Sequence, residues 1–128
     1  MNNPAITVLL VEDNDMIREC ITAYLEDEGF TVHSYVTAEQ ALERIVAINP
    51  VVCISDMRLP GMDGESFILK AHTLCPVTSF LLHTGILYTL SDELRDIGMT
   101  DGDVLLKPIH DLSKLVKRIT HISVTGRG

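Results

Sequence analysis

Apolar residues follow two alternating patterns along the chain. Short, largely apolar runs lie at Ile6–Val11, Val51–Ser55, Val77–His83 and Val104–Leu106. Runs of this length without polar alternation suit strands covered on both faces, as in a parallel sheet. Between the runs, apolar side chains recur at three- and four-residue intervals, the spacing of helices with one buried face. Met16, Ile17, Cys20, Ile21, Tyr24 and Leu25 form the first such stripe, which Gly29 ends. Thr31–Tyr35 reads as a further strand. Thr37 and Gln40 have capping-box spacing and open a helix with Ala41, Leu42, Ile45 and Val46 inward, broken at Asn49-Pro50.

After the third strand, 59–64 is a loop by composition. A helix is predicted over Glu65–Leu74, stopped by Pro76, and another over Ser91–Ile97. Leu112, Leu115, Val116 and Ile119 line a last helix. Five strands alternating with five helices predict an α/β, doubly wound five-stranded parallel sheet. The expected division is one domain over 1–122, with Ser123–Gly128 a tail or the start of a linker. In an open parallel sheet the carboxyl ends of neighbouring strands face one crevice. Glu12-Asp13, Asp56, Thr84 and Lys107 all sit at such ends.

Composition narrows the use of that crevice. The chain has 128 residues, enough for one core, and 46% are hydrophobic, which fits a globular fold. Ten basic against eighteen acidic residues leave a net charge of −8 with no basic cluster, so nucleic-acid binding by this segment is not expected. Cys20, Cys53 and Cys75 form no Cys-x-x-Cys pair and read as buried thiols. No apolar stretch approaches the ~20 residues that span a bilayer, and Met1–Pro4 lacks a signal peptide's basic region. A cytoplasmic, membrane-free setting is the expectation.

Clustered carboxylates repel one another unless a cation relieves them, and oxygen-only donors suit a hard ion such as magnesium. A carboxylate can also act as a nucleophile and form an acyl phosphate, whose transfer needs cationic and hydroxyl groups around the phosphoryl oxygens. Lys107 and Thr84 are residues of that type. The competing reading is that the acids cap the helices that follow them. Lys107 precedes Pro108, which suggests a special turn, with a cis bond as one form of it.

The blocks Leu9–Asn14, Asp56–Gly64, Thr84-Gly85 and Leu106–Pro108 resemble a bacterial two-component response-regulator receiver domain over nearly the whole chain. The Asp-x-x-x-Pro-x-x-x-Gly loop is the most specific of them. The resemblance implies flavodoxin-like topology and Asp56 as acceptor of a phosphoryl group from a sensor histidine kinase or a histidine phosphotransfer protein. It implies Mg2+ held by Asp13, Asp56, Glu12 through water and the Arg58 main-chain carbonyl. Lys107 and Thr84 would contact the phosphoryl group, with the Gly85 N–H assisting. The Arg58 side chain and Ile86 would tune its lifetime. Signalling to an effector domain or partner protein follows in the family, in some cases through a homodimer.

The chain departs from the family at Val104, where an aromatic ring that turns inward on activation is usual. The 98–103 connection is also about two residues longer than usual. Tyr88 is a candidate to replace that ring in space. An aspartyl-phosphate hydrolase would carry an Asp where this chain has Arg58, so the chain is not expected to be an enzyme beyond gaining and losing its own phosphoryl group. No Gly-x-Gly-x-x-Gly or P-loop supports nucleotide binding. A receiver fold that only binds partners is the remaining alternative. The histidines 33, 72, 83, 110 and 121 show no paired ligand spacing, and His83 is expected in the core or just behind the site.

Overall fold

A computed structural model of the chain describes residues 6–86, 88–107 and 111–125. Strands β1 (Thr7–Val11), β2 (Thr31–Tyr35), β3 (Val52–Asp56), β4 (Ser79–Thr84) and β5 (Val104–Leu106) alternate with helices α1 (Asp15–Asp27), α2 (Ala38–Ile48), α3 (Gly64–Leu74), α4 (Asp92–Asp96) and α5 (Ser113–Thr125). A 3-10 turn, Asp101–Asp103, leads into β5. All neighbouring strands are parallel, in the order β2-β1-β3-β4-β5.

Both faces of the central strands β1, β3 and β4 are covered, which is why they are buried nearly throughout, whereas the edge strand β2 is exposed at Thr31 and Ser34. Successive side chains point to opposite faces. Leu9, Val11, Cys53, Phe80 and Leu82 pack beneath α2 and α3, against Ala41, Ile45, Phe67, Ile68 and Ala71. Val8, Leu10, Val52, Ile54 and Leu81 pack against Ile21 and Leu25 of α1 and Leu115 and Ile119 of α5. The helix signals act locally as expected. Thr37 and Gln40 close a capping box, and Asn49 ends α2 in the left-handed conformation at φ 49°.

Several expectations need correction. Met16 is 80% exposed and Cys20 is exposed, so Cys20 is not a buried thiol, whereas Cys53 and Cys75 are. The buried face of α1 is centred on Ile17, Ile21 and Leu25, and Met16 and Cys20 stand about 100° around the helix from it. Val46 is likewise turned outward, one position past the buried Ile45. Val77 is exposed and precedes β4, because Thr78 first closes a turn on Cys75 and donates its hydroxyl to the Pro50 carbonyl at 2.7 Å. Helix α4, by contrast, lies within its expected bounds, capped at Ser91 and Ile97, while α5 continues through Thr125, three residues past the expected boundary. Pro108 and its turn lie outside the described residues.

Candidate functional site

The sheet register brings the strand-end residues together. Val11 lies beside Ser55, Asp56 beside His83, and Thr84 beside Leu106. Glu12 and Asp56 are 1% and 5% exposed, while Asp13 is open to solvent. One carboxylate oxygen from each of the three lies within 4.8 Å of the others. Capping does not account for them. Asn14 caps α1 by accepting from the Ile17 N–H at 2.9 Å, and Asp63 caps α3 by accepting from Ser66 at 2.8 Å. Asp13 and Asp56 are thereby left to the crevice.

Lys107 reaches across to the acids. Its Nζ donates to Asp56 Oδ2 at 2.8 Å and lies 3.2 Å from Glu12 Oε1. Its own backbone is held by the Lys107 N–H bond to the Thr84 carbonyl, 2.7 Å. Burial alone would lower the ammonium's pKa. The Asp56 hydrogen bond and the charges of Glu12 and Asp56 outweigh it and hold Lys107 above its ordinary value. Glu12 is pushed up, first by desolvation and then by the charge of Asp56, against the opposing Asn14 N–H and Lys107. Glu12 Oε1 is buried without an aligned hydrogen bond. A buried carboxylate oxygen in that state, beside two more carboxylates, fits the hard-cation donor set of magnesium.

A cavity of about 350 Å3 opens above the acids, lined by Asp13, Asp56, Arg58, Thr84, Gly85, Ile86 and Lys107. Thr84 Oγ1 is committed only weakly, to the Ile86 backbone at 3.3–3.4 Å. The Arg58 N–H is 3.4 Å from Asp56 Oδ1. The residues named from the sequence as metal ligands or phosphoryl contacts therefore border one site, Glu12 through the carboxylate cluster and the others on the cavity wall. Arg58 is placed there by its main-chain N–H and its share of the cavity wall.

Further residues flank the site, some of them named from the sequence and others, such as Arg118 and Asp103, not. Gly64 presses against the Asp56 and Met57 backbones, and its N–H donates to the Met57 carbonyl at 2.7 Å. His83, expected in the core or behind the site, is 3% exposed with Nδ1 3.8 Å from Glu12 Oε1. Burial, then the Lys107 charge, lower its pKa to about 4, so its ring is neutral at pH 7. On the far side, Arg118 donates to buried Asp103 through Nε at 3.0 Å and Nη2 at 2.6 Å, tying α5 to the 3-10 turn. Tyr88 shares a cavity wall with Val104 and Leu106, and its hydroxyl donates to Glu65. Burial, then the Glu65 carboxylate, raise that phenol to about 12.

A family model described as the response regulator receiver domain matches residues 8–120. The transcriptional regulatory protein AruR of Pseudomonas aeruginosa is 32% identical over 93% of this chain and 52% of its own length. A cyclic di-GMP phosphodiesterase of Thermotoga maritima is 31% identical over 91% of this chain and 30% of its own. The chain thus spans about half of the first relative and under a third of the second. Among solved structures, a CheY-like response regulator receiver domain from Methanospirillum hungatei superposes with a TM-score of 0.79 at 25% identity, covering 96% of this chain and all of that one.

Proposed function

Because the chain belongs to the response regulator receiver domain family, we propose that Asp56 is its phosphoacceptor and that the modified domain switches a partner or an effector. The observation that carries this reading is the Lys107 ammonium at 2.8 Å from Asp56, inside a carboxylate triad whose helix-capping duties other residues have taken. The donor is the phosphohistidine of a sensor histidine kinase or a histidine phosphotransfer protein. An Asp56 carboxylate oxygen attacks phosphorus, the P–N bond breaks, and the imidazole leaves with its electron pair and takes up a proton.

Asp13, Asp56, Glu12 and the Arg58 carbonyl would hold Mg2+, which would supply positive charge against the charge developing on the phosphoryl oxygens. Lys107 supplies a second positive charge from a position already anchored by its backbone, so it needs little reorganisation. Thr84 leaves two weak contacts to donate its hydroxyl to a phosphoryl oxygen, and the Gly85 N–H assists. Arg58 and Ile86, on the cavity wall, govern water access to the acyl phosphate and so its lifetime.

The chain turns over nothing beyond its own phosphoryl group, since Arg58 stands where a hydrolase would need a second acid. Among the described residues no helix is long and apolar enough to cross a membrane, and the proposed setting is the cytoplasm. The output, through an effector domain, a partner protein or a homodimer, belongs to the same proposal.

Incubation with magnesium and a small acyl phosphate should add one phosphoryl mass to the intact protein and none to Asp56→Asn. Undiminished labelling of the variant removes Asp56 from the role. No labelling of the wild type, by the small donor or by a phosphorylated kinase, supports the binding-only alternative.

A further inference from the structure

We propose that the cavity between α1 and the start of α5 binds a small neutral amphiphile, an apolar ring system bearing one hydroxyl, with the hydroxyl bonded to His83. The cavity is about 410 Å3 and is lined by Met16, Ile17, Cys20, Ile21, His83, Lys107 and Leu112. It is a separate space from the phosphoacceptor crevice, on the other side of Lys107. Its volume lies within the range usual for small-ligand sites, as does its make-up of apolar walls with few polar groups.

His83 identifies the chemistry of the occupant. It follows Leu81 on the α1/α5 face of β4, and its side chain is 4% exposed. Among the described residues neither ring nitrogen has a hydrogen-bond partner, and Glu12, at 3.8 Å from Nδ1, is beyond bonding distance. Buried polar groups in native proteins are nearly always satisfied, so an unpaired imidazole on an apolar cavity wall calls for a ligand with one polar atom. A neutral imidazole offers one donor and one acceptor nitrogen, which a hydroxyl can satisfy from either side. Charge excludes other classes. Beside the Lys107 ammonium stand two carboxylates, Asp56 and Glu12, so the local charge disfavours an anionic ligand, and among the described residues no carboxylate lines the wall for a cationic one. The exposed Met16 and Cys20 form the rim, which explains apolar residues on the outward side of α1.

The test uses 2-naphthol and the full chain. Cys20 is the one exposed thiol, since Cys53 and Cys75 are buried, so its alkylation by a maleimide reads occupancy by intact mass. Saturating 2-naphthol should slow that alkylation at least fivefold and produce saturable NMR shifts confined to α1, His83 and the start of α5. His83→Phe keeps the ring and should weaken binding about tenfold, the loss expected for one buried hydrogen bond. Naphthalene should bind the wild type as weakly as naphthol binds that variant. Cys20→Trp at the exposed rim fills the mouth without touching the core and should abolish the shifts even where His83→Phe fails to fold. The proposal is overturned by the absence of saturable shifts up to the solubility limit, or by undiminished affinity in Cys20→Trp. Equal affinity for naphthalene and 2-naphthol also overturns it. If raising the protein concentration alone reproduces the shifts, a second copy of the chain fills the cavity and the proposal fails.

Discussion

Replacing Gly64 by alanine tests how tightly α3 is wedged beneath the acceptor strand. A Cβ built there would stand 2.9 Å from Met57 Cα, 3.0 Å from Leu82 Cδ1 and closer still to the Asp56 carbonyl oxygen. Two of these are backbone atoms, and they cannot yield cheaply. Asp56 is in register with His83 of β4, and the Met57 N–H is bonded to the His83 carbonyl at 3.0 Å. The start of α3 must move instead, straining or breaking the 2.7 Å bond from the Gly64 N–H to the Met57 carbonyl. Losing that bond costs about 1 kcal/mol and the overpacking another 1–3 kcal/mol, so Gly64→Ala should destabilise the domain by about 2–4 kcal/mol. For a domain of this size the melting temperature should fall by roughly 5–15 °C. Any shift passed on to Asp56 misplaces the nucleophile, and a displacement of about 1 Å can slow transfer about a hundredfold. Urea denaturation and the rate of labelling by a small acyl phosphate measure the two effects. Gly29→Ala is the control. Its φ of +96° makes alanine strained, but nothing lies within 4 Å of the added carbon, so stability should drop by about 1 kcal/mol with labelling unchanged. A Gly64→Ala protein within about 0.5 kcal/mol of wild type, the ordinary scatter of surface substitutions, would refute the wedge.

Other outcomes follow from the same geometry. Millimolar magnesium should raise the melting temperature, because a ligand of the native state stabilises it, and Asp13→Asn should remove most of that rise; identical melting with magnesium and with chelator counts against a preformed site. The neutral, buried His83 stabilises the fold fully above its unfolded pKa near 6.5. Between there and about pH 4 the unfolded chain binds the extra proton, so stability falls as pH drops. Measured in chelator against His83→Leu, which shares the opposing Glu12 contribution, the wild type should lose up to about 3 kcal/mol across that window. Parallel pH profiles of the two proteins contradict this. Arg118→Met takes the guanidinium from Asp103, which is 1% exposed and keeps its bonds from Thr100. The cost should be about 2–3 kcal/mol in urea denaturation, and a change below 0.5 kcal/mol means that the pair contributes little.

Much of this molecule is readable without coordinates, because the informative features are local and periodic. Thr31–Tyr35 and Val104–Leu106 are strands at the very residues where the runs lie, and Thr37 with Gln40 closes the box their spacing predicts. The strand-end set Glu12, Asp13, Asp56, Thr84 and Lys107 is legible for a topological reason. A parallel sheet directs every strand's carboxyl end to the same edge, so end positions converge whatever the loops do. Helix faces are less legible, because a stripe of apolar residues does not reveal how wide a neighbour will cover it. Met16, Cys20 and Val46 belong to the pattern and stand outside the contact.

Tertiary structure alone decided the relations that depend on distance between segments far apart in the chain. The release of Asp13 and Asp56 from capping followed from Asn14 and Asp63 taking the helix ends. The approach of Gly64 to Asp56, the Arg118–Asp103 pair and the Tyr88–Glu65 bond have no periodicity to announce them. His83 is the sharpest case. Strand alternation places it on the α1 side of β4, but only the packing of α1 and α5 leaves its imidazole buried, neutral and unpaired beside Glu12. A side chain's face is set by the local backbone repeat, whereas its partners and protonation are set by what the rest of the fold brings within a few ångströms.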